Sequence, residues 1–190
     1  LSRVPVVVGS ALVPSGPFVS TASSGFAPSV MASIPMVVIS VQVPLSKIGQ
    51  DAFQEPDMIG VSRPIVKHSF LVTRTEDIAE TIAKAYYIAA TGRPGPVVVD
   101  IPKDVTDPSH KVAYEWPTET KMRSYQPTDK GHRGQIKRAV KTLLAAKRPV
   151  IYTGGGIVID TAAEHLIALA RQLNFPVTNT LMGLVGYPGT

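Results

Sequence analysis

The sequence predicts an α/β fold made of parallel-sheet, three-layer units, in which helices cover both faces of each sheet. Three short apolar runs rich in Val and Ile indicate buried strands, at residues 36–40, 97–101 and 150–153. Each run is continuously apolar rather than alternating, which is typical of parallel strands covered on both faces. Helical periodicity occurs between the runs, and this alternation of strand and helix predicts the α/β class.

The clearest helix signal lies in residues 75–91. Its apolar residues recur at helical spacing and are Ile78, Ile82, Ala85, Tyr86 and Ala89. Thr73 and Glu76 have the spacing of a capping box at the start of this helix. Residues 92–96, Gly-Arg-Pro-Gly-Pro, predict its end, because Gly suits the position after a helix and Pro cannot continue one.

The chain changes character after residue 103. Prolines stand at positions 108, 117 and 127, charged residues are frequent, and no periodicity is sustained up to residue 131. Such a segment is typical of a linker between domains. We therefore predict a first domain at residues 1–105, a linker at 106–130 and the beginning of a second, doubly wound domain at 131–190.

The second domain is predicted to repeat the alternation of helix and strand. Its first helix has four apolar residues at helical spacing, which are Ile136, Val140, Leu143 and Leu144. Residues 149–153 form the predicted strand, and the three glycines at 154–156 form a turn. Asp160 is placed to cap the next helix, and residues 176–181 predict a further strand.

Composition excludes several classes of protein. The 190 residues include no Cys and four scattered His, so disulfides, thiolate chemistry and histidine metal sites are not expected. The net charge is +5, but an Arg-rich run and an aromatic platform are missing, so nucleic-acid binding is not expected. No apolar stretch is long enough to span a bilayer, and the first residues lack Met and a signal-peptide layout. We expect a cytoplasmic protein without a membrane-spanning segment, and we expect that its N-terminal residues are missing from this sequence.

Lys103 and the triple glycine lie where α/β folds bind ligands. Lys103 follows the strand at 97–101, at the carboxyl edge of the predicted sheet, where a cation can hold an anionic substrate. A surface lysine beside a proline turn is the simpler interpretation. Residues 154–156 follow a strand and precede a helix, so their amides can approach a phosphate or a cofactor. The full GxGxxG spacing is missing, and a tight turn without a ligand explains these glycines equally well.

Two further stretches allow a functional and a structural interpretation. Residues 51–55, Asp-Ala-Phe-Gln-Glu, place an aromatic ring and an amide between two carboxylates. Such an arrangement suits acid–base chemistry or a solvated helix start. Arg93 lies in the Gly-Pro turn, where it either caps carbonyls of the preceding helix or binds a phosphate-bearing ligand. The local sequence favours the capping role.

Several motifs resemble, in order and spacing, the large subunit of acetohydroxyacid synthase, also called acetolactate synthase. They are residues 48–55 (Ile-Gly-Gln-Asp-Ala-Phe-Gln-Glu), 92–96 (Gly-Arg-Pro-Gly-Pro), 100–104 (Asp-Ile-Pro-Lys-Asp), 147–149, 154–156 and 180–184. Many thiamine-diphosphate enzymes share the Gly-Arg-Pro-Gly-Pro turn and the triple glycine. The motifs at 51–55 and 101–104 are more specific, and Lys103 is not expected in glyoxylate carboligase, the nearest alternative.

The resemblance implies that the first domain is the C-terminal part of a pyrimidine-binding domain and that the second begins an FAD-associated central domain. Phe53 and Gln54 are implied to line the active-site channel, and Lys103 to lie at the substrate entrance. Four residues are implied to bind cofactors. Arg93 is implied to contact FAD, Pro17 lies in a Ser-Gly-Pro turn, and the other two are Gly154 and Gly155.

The activity implied by the resemblance is decarboxylation of pyruvate and carboligation to a second 2-ketoacid, in branched-chain amino-acid biosynthesis. The implied cofactors are thiamine diphosphate, Mg²⁺ and FAD. The implied partners are 2-ketoacid substrates, further catalytic subunits in a homodimer or homotetramer, and a regulatory small subunit. Two alternatives stay open: another thiamine-diphosphate carboligase or decarboxylase, and a catalytically inactive fragment that acts as a binding module.

Residues 1–33 and position 41 depart from the family pattern. Phe18 stands where the family has Gly, Thr21 where Asn is usual, and Val41 where a Gly is expected. Because only Gly lets backbone approach a ring closely, a bulky residue at position 18 is expected to weaken cofactor contacts there. The activating glutamate and the ligands of the diphosphate and metal are expected outside residues 1–190, so this chain alone is expected to be inactive.

Overall fold

A computed structural model describes residues 7–128 and 130–187, which divide into two compact units. The first unit ends at Pro127 and the second begins at Thr128. The described residues between 107 and 132 form neither helix nor strand. Met122 and Tyr125, within this irregular segment, pack against the core of the first unit. Contacts therefore join the segment up to Pro127 to the first unit.

Four parallel strands form the sheet of the first unit. They are β1 (Gly9–Val13), β2 (Met36–Gln42), β3 (His68–Leu71) and β4 (Pro96–Pro102). Their order in the sheet is β1-β2-β4-β3, so β2 and β4 are the central strands. Ser40 of β2 lies opposite Asp100 of β4 in the register. The predicted strands at 36–40 and 97–101 are confirmed, and so is the parallel α/β class.

Helices cover both faces of this sheet, and they are α1 (Phe18–Ala32), α2 (Met58–Ser62) and α3 (Ile78–Ala90). On one face, Ala85 and Ala89 of α3 pack in a cluster with Val97 and Val99. On the other face, side chains of α1 and α2 pack against Val98 and its neighbours in β2. Every residue of β4 is buried, and burial of one Val side chain stabilises the fold by about 2 kcal/mol.

The second unit contains five elements, which are α4 (Arg133–Ala145), β5 (Ile151–Thr153), α5 (Gly155–Ile159), α6 (Ala163–Leu173) and β6 (Val177–Asn179). β5 and β6 pair in parallel, which confirms the strands predicted at 149–153 and 176–181. Leu166 and Ala170 of α6 are buried. Among its described residues, α4 buries none, and the apolar residues that predicted this helix are largely exposed.

Two predicted caps are wrong. The carboxylate of Glu76 accepts hydrogen bonds from the Arg74 guanidinium, so it is not available for a capping box with Thr73. A 3₁₀ turn at Thr75–Asp77 leads into α3 instead, and no side chain caps that helix. Asp160 does not cap α6, because it lies at the end of α5 with its amide bonded to the Gly156 carbonyl.

The predicted glycine turn is partly wrong as well. Only Gly154 lies in an extended connection after β5, whereas Gly155 already begins the short helix α5. Four elements of the first unit, β1, α1, α2 and β3, were not predicted at all. No helix within residues 7–128 and 130–187 is long and apolar enough to cross a membrane.

Candidate active site

The carboxyl ends of the parallel strands carry four of the predicted site residues. Pro17 follows β1, Phe53 and Gln54 lie in the loop of residues 43–57 after β2, and Lys103 directly follows β4. In open parallel sheets, ligands bind outside the carboxyl ends of the strands. The fold therefore places all four residues on the edge of the first unit that is suited to ligand binding.

Gly16 brings the turn after β1 into contact with Gln54. Its φ of +81° lies in the left-handed region, and a Cβ at this position would meet the Gln54 Cγ at 3.1 Å. A side chain here would therefore meet both backbone strain and a close contact. Next to it, the Pro17 carbonyl accepts a hydrogen bond from the Ser20 hydroxyl at 2.7 Å, in the first turn of α1. Gly16 lets Gln54 rest directly on this turn.

Phe53 and Gln54 are presented differently by the same loop. The Phe53 side chain is 90% exposed, so it contributes nothing to the core of the unit. Gln54 has a φ of +62°, a conformation that favours Gly, and its side chain packs over Gly16. Phe18, the departure from the family pattern, is 54% exposed at the first position of α1. Its expected interference with a cofactor stays a prediction.

Glu55 organises the loop rather than offering a free carboxylate. It accepts hydrogen bonds from the amides of Ala52, at 2.8 Å, and of Gly49. The Ala52 bond, followed by the Gly49 bond, lowers the pKa of Glu55 below its ordinary value. Asp57 likewise accepts from the Gly60 amide at 2.8 Å and caps α2. Because the Glu55 carboxylate binds backbone amides, the acid–base interpretation of residues 51–55 is not favoured for Glu55.

A buried polar cluster lies beneath this loop, and sequence reasoning missed it. The Asp100 carboxylate accepts from the Ser40 hydroxyl and, at 3.1 Å, from the Gln42 side-chain amide. Burial raises the pKa of Asp100, while these two hydrogen bonds oppose the shift. The Gln42 amide also donates to the Pro56 carbonyl at 2.9 Å. A carboxylate inside the apolar run of β4 is the signal that marked this cluster in the sequence.

Lys103 begins a 3₁₀ turn, Lys103–Thr106, that is tied to the chain beyond β2. Both carboxylate oxygens of Asp104 lie 3.1 Å from the Leu45 amide, so the two segments meet at the carboxyl edge. The Lys103 side chain is exposed, and no ion pair joins it to another described residue. An exposed ammonium at this edge is able to bind an anion.

Arg93 lies at the opposite, amino edge of the sheet, apart from the other four residues. Its Nε donates to the Ser33 hydroxyl at 2.8 Å, and its Nη2 donates to the carbonyls of Val30 and Met31 at 3.1 and 3.2 Å. These carbonyls close α1, so Arg93 caps a helix distant in sequence rather than the preceding helix α3. A role toward FAD stays a prediction.

Lys67 has a similar position at this amino edge and was given no role from sequence. Its Nζ donates to the carbonyls of Ile88 and Thr91, the latter at 2.6 Å, and to the Tyr125 hydroxyl at 3.0 Å. Lys67 therefore closes α3 and ties the irregular segment to it. Gly92, with a φ of +58°, continues the chain from that end into the turn that holds Arg93.

Gly154 and Gly155 belong to the second unit and make close contacts within it. A Cβ at Gly155 would lie 3.2 Å from the Met182 Cβ, and one at Gly154 would lie 3.5 Å from the Thr180 hydroxyl. The Thr180 amide also donates to the Thr153 carbonyl at 2.8 Å. These contacts support the interpretation as a tight turn. Within the described residues, no group of three His, Asp or Glu side chains is arranged to hold a metal ion.

Comparison with known proteins gives one family model and a consistent set of relatives. Residues 136–190 match the central domain of thiamine pyrophosphate enzymes. The chain is 55% identical over 183 residues to an acetolactate synthase large subunit of Haemophilus influenzae, covering 96% of this chain and 32% of that protein. It is 54% identical over 190 residues to an acetolactate synthase isozyme 3 large subunit of Escherichia coli, covering 100% and 33% respectively.

A more distant relative covers the same region. An acetolactate synthase of Mycobacterium bovis is 42% identical over 181 residues, which is 95% of this chain and 29% of that protein. The chain thus spans about a third of the length of the curated relatives that it matches.

Proposed function

Because the chain belongs to the acetolactate synthase large-subunit family of thiamine pyrophosphate enzymes, we propose that it is part of a catalytic subunit that joins two 2-ketoacids. The reaction is decarboxylation of pyruvate followed by carboligation to a second 2-ketoacid, in branched-chain amino-acid biosynthesis. The observation that carries this proposal is the identity of 54% to an acetolactate synthase over the entire chain. The proposal includes a cytoplasmic location.

The two compact units correspond, in this proposal, to two domains of the enzyme. The four-stranded unit is the C-terminal part of the pyrimidine-binding domain, and the unit that begins at Thr128 opens the central, FAD-associated domain. The family match over residues 136–190 supports the second assignment. Further catalytic subunits and a regulatory small subunit are the proposed partners, and the words "large subunit" in the names of relatives support the latter.

The carboxyl edge of the first unit fits thiamine diphosphate better than it fits the metal. The turn at Gly16 and Pro17 and the exposed ring of Phe53 lie at this same edge of the sheet, and an exposed aromatic ring suits a flat, partly apolar heterocycle. No described group of acidic or His side chains fits Mg²⁺, so we assign no metal ligand to these residues. When bound, thiamine diphosphate supplies the carbanion chemistry of the reaction.

The residues of this chain bind and orient the substrates in our proposal. The exposed ammonium of Lys103 attracts the ketoacid carboxylate at the entrance of the site. Phe53 excludes water from the reacting carbonyl, and the Gln54 amide donates a hydrogen bond that orients the carbonyl of the second ketoacid. The proposed cofactor-binding residues also include Arg93, which contacts FAD, and Gly154 and Gly155, which approach a cofactor.

The test is the product formed from pyruvate by the full-length protein that contains this chain. With thiamine diphosphate, Mg²⁺ and FAD present, we expect pyruvate to be converted to acetolactate, and a four-carbon 2-ketoacid to compete for the second addition. Condensation of glyoxylate without turnover of pyruvate would instead assign the protein to the carboligase alternative. A protein that binds thiamine diphosphate but turns over neither ketoacid would refute the proposed activity.

A further inference from the structure

The loop of residues 43–57 contains two residues in a conformation that favours Gly. Asp51 has a φ of +54° and Gln54 has a φ of +62°. Residues held in this region persist only where surrounding contacts fix them. Glu55 fixes the middle of the loop through the amides of Gly49 and Ala52, but these contacts lie within the loop itself. The near end of the loop is joined to the turn after β4 by the bond from the Leu45 amide to Asp104, so a separate contact must fix its far end to the sheet.

The buried cluster under the loop provides that contact. Ser40, Gln42 and Asp100 are 0%, 5% and 1% exposed, and they lie on the sheet face that α1 and α2 cover. Asp100 is on β4, the most buried strand, so its position is set by the core. The Gln42 Nε2 donates one hydrogen bond to the Asp100 carboxylate, at an N···O distance of 3.1 Å, and a second to the Pro56 carbonyl, at 2.9 Å.

Gln42 is further fixed by its own oxygen, which accepts from the Val43 amide at 2.8 Å. The two polar atoms of the side-chain amide, Nε2 and Oε1, therefore make three hydrogen bonds, which join β4 to the two ends of the loop. Pro56 follows Glu55 directly and also accepts from the Met58 amide at 2.8 Å, at the start of α2. The far end of the loop is thus joined to both the sheet and the next helix.

We propose that Gln42 and Asp100 are positioning residues, which hold the loop so that Gln54 rests on Gly16 and Phe53 stays at the carboxyl edge of the sheet. Neither residue contacts substrate, because both are buried under the loop. Their effect passes through the bond from the Gln42 amide to the Pro56 carbonyl. This inference rests on the proposed function for its effect on activity, but not for its effect on the order of the loop.

The first test is Gln42→Met, which keeps the length of the side chain and removes its hydrogen bonds. Hydrogen exchange by mass spectrometry on the full-length protein should show exchange at least about tenfold faster in peptides covering residues 43–57, with the β4 and α3 peptides unchanged. We expect kcat/KM for the 2-ketoacid to fall by about 100-fold, because a displacement of about 1 Å has that effect. Equal acceleration in all peptides, or unchanged exchange in the loop, would overturn the proposal.

The second test separates the two bonds of the Gln42 amide. The double variant Gln42→Glu with Asp100→Asn reverses the buried pair, so an Asn amide donates to a Glu carboxylate and the sheet contact is kept. The Glu carboxylate has no N–H for the Pro56 carbonyl and repels its oxygen, so the loop contact is lost while the sheet contact is kept. We expect the thermal midpoint to stay near that of wild type, while loop exchange and kcat/KM resemble those of Gln42→Met. Full recovery of both loop protection and activity would overturn the proposal.

The matched control is Gln50→Met, which removes an amide of the same size whose bond, among the described residues, is to the Ser46 carbonyl within the loop. We expect its kcat/KM to stay within about twofold of wild type. A loss as large as that of Gln42→Met would show that any amide of the loop has this effect, and would overturn the assignment. If wild type has no ketoacid turnover, the proposed function fails, whereas the exchange experiments still decide whether Gln42 holds the loop.

Discussion

The two edges of the four-stranded sheet use their long cationic side chains differently. At the amino edge, Lys67 and Arg93 donate to carbonyls that end α3 and α1, so their charges are committed to helix termini. At the carboxyl edge, Lys103 is exposed, and the acidic groups nearby, such as Asp104, hold backbone amides instead. The difference separates cations that stabilise the fold from a cation that stays exposed and that we propose binds a substrate.

The largest expected effect comes from Gly16→Ala at the carboxyl edge. The left-handed backbone costs an Ala about 1–2 kcal/mol, and the added Cβ pushes against the Gln54 side chain. We expect kcat/KM to fall by about 100-fold, because Gln54 is displaced. Steady-state kinetics and thermal unfolding measure the two effects. The control is Gly25→Ala within α1, where a Cβ meets no atom within 4 Å and stability should rise by about 0.5–1 kcal/mol.

A direct comparison of the edges is given by Lys103→Met and Lys67→Met. The first should raise KM for the ketoacid by about tenfold at unchanged thermal stability, because an exposed cation contributes little to the core. The second should lower the free energy of unfolding by about 1–3 kcal/mol at unchanged KM, because the carbonyls of Ile88 and Thr91 lose their donor. The reverse pattern would contradict our division of the two edges.

Arg93→Ala distinguishes helix capping from cofactor binding at the amino edge. Loss of the bonds to Ser33, Val30 and Met31 should lower the free energy of unfolding by about 1 kcal/mol. The proposed role toward FAD predicts, in addition, lower flavin absorbance in the purified protein. Unchanged flavin absorbance together with reduced stability would mean that Arg93 caps a helix and does not bind FAD. Arg74→Ala, which removes an exposed pair with Glu76, is the matched control.

The smallest expected effect is the pH dependence of the loop held by Glu55. Because the folded state lowers the pKa of this carboxyl, its contribution to stability is complete above the unfolded pKa and is lost as the pH falls through the folded pKa. The difference in thermal midpoint between wild type and Glu55→Gln should therefore shrink between about pH 7 and about pH 3. A difference in thermal midpoint that grows as the pH falls would contradict this prediction. Glu119→Gln, in the irregular segment, serves as the control.

Sequence reasoning succeeded where burial follows from local composition. The central strands β2 and β4 are continuous apolar runs, and α3 has a clean helical period, so all three were predicted. Edge strand β1 is almost entirely exposed, and its short sequence has no distinctive pattern. Helix α1 contains several Ser, a Gly and Pro28, which favour other conformations, and tertiary packing of Phe26 overrides them.

The sequence predicted which residues lie at the candidate site, but it did not predict which other residues they contact. The positions of Phe53, Gln54 and Lys103 after two neighbouring strands followed from the strand pattern and the resemblance. The bonds of Arg93 to α1 join residues about 60 positions apart, and the pairing of Asp100 with Gln42 is equally distant in sequence. No local pattern specifies such partners. Only the strand order β1-β2-β4-β3, which sets β2 beside β4, brings them together.

That strand order also has a consequence during synthesis of the chain. β2 pairs with β4, so that Ser40 meets a partner 60 residues later, while β3 is made between them and joins the sheet outside β4. At about 5–20 residues per second, the ribosome needs about 3–12 s to complete that interval. During this time the backbone N–H and C=O groups on the β4 side of β2 have no strand to pair with. Newly made chains are therefore expected to expose an unpaired strand edge, which favours aggregation, until β4 has emerged.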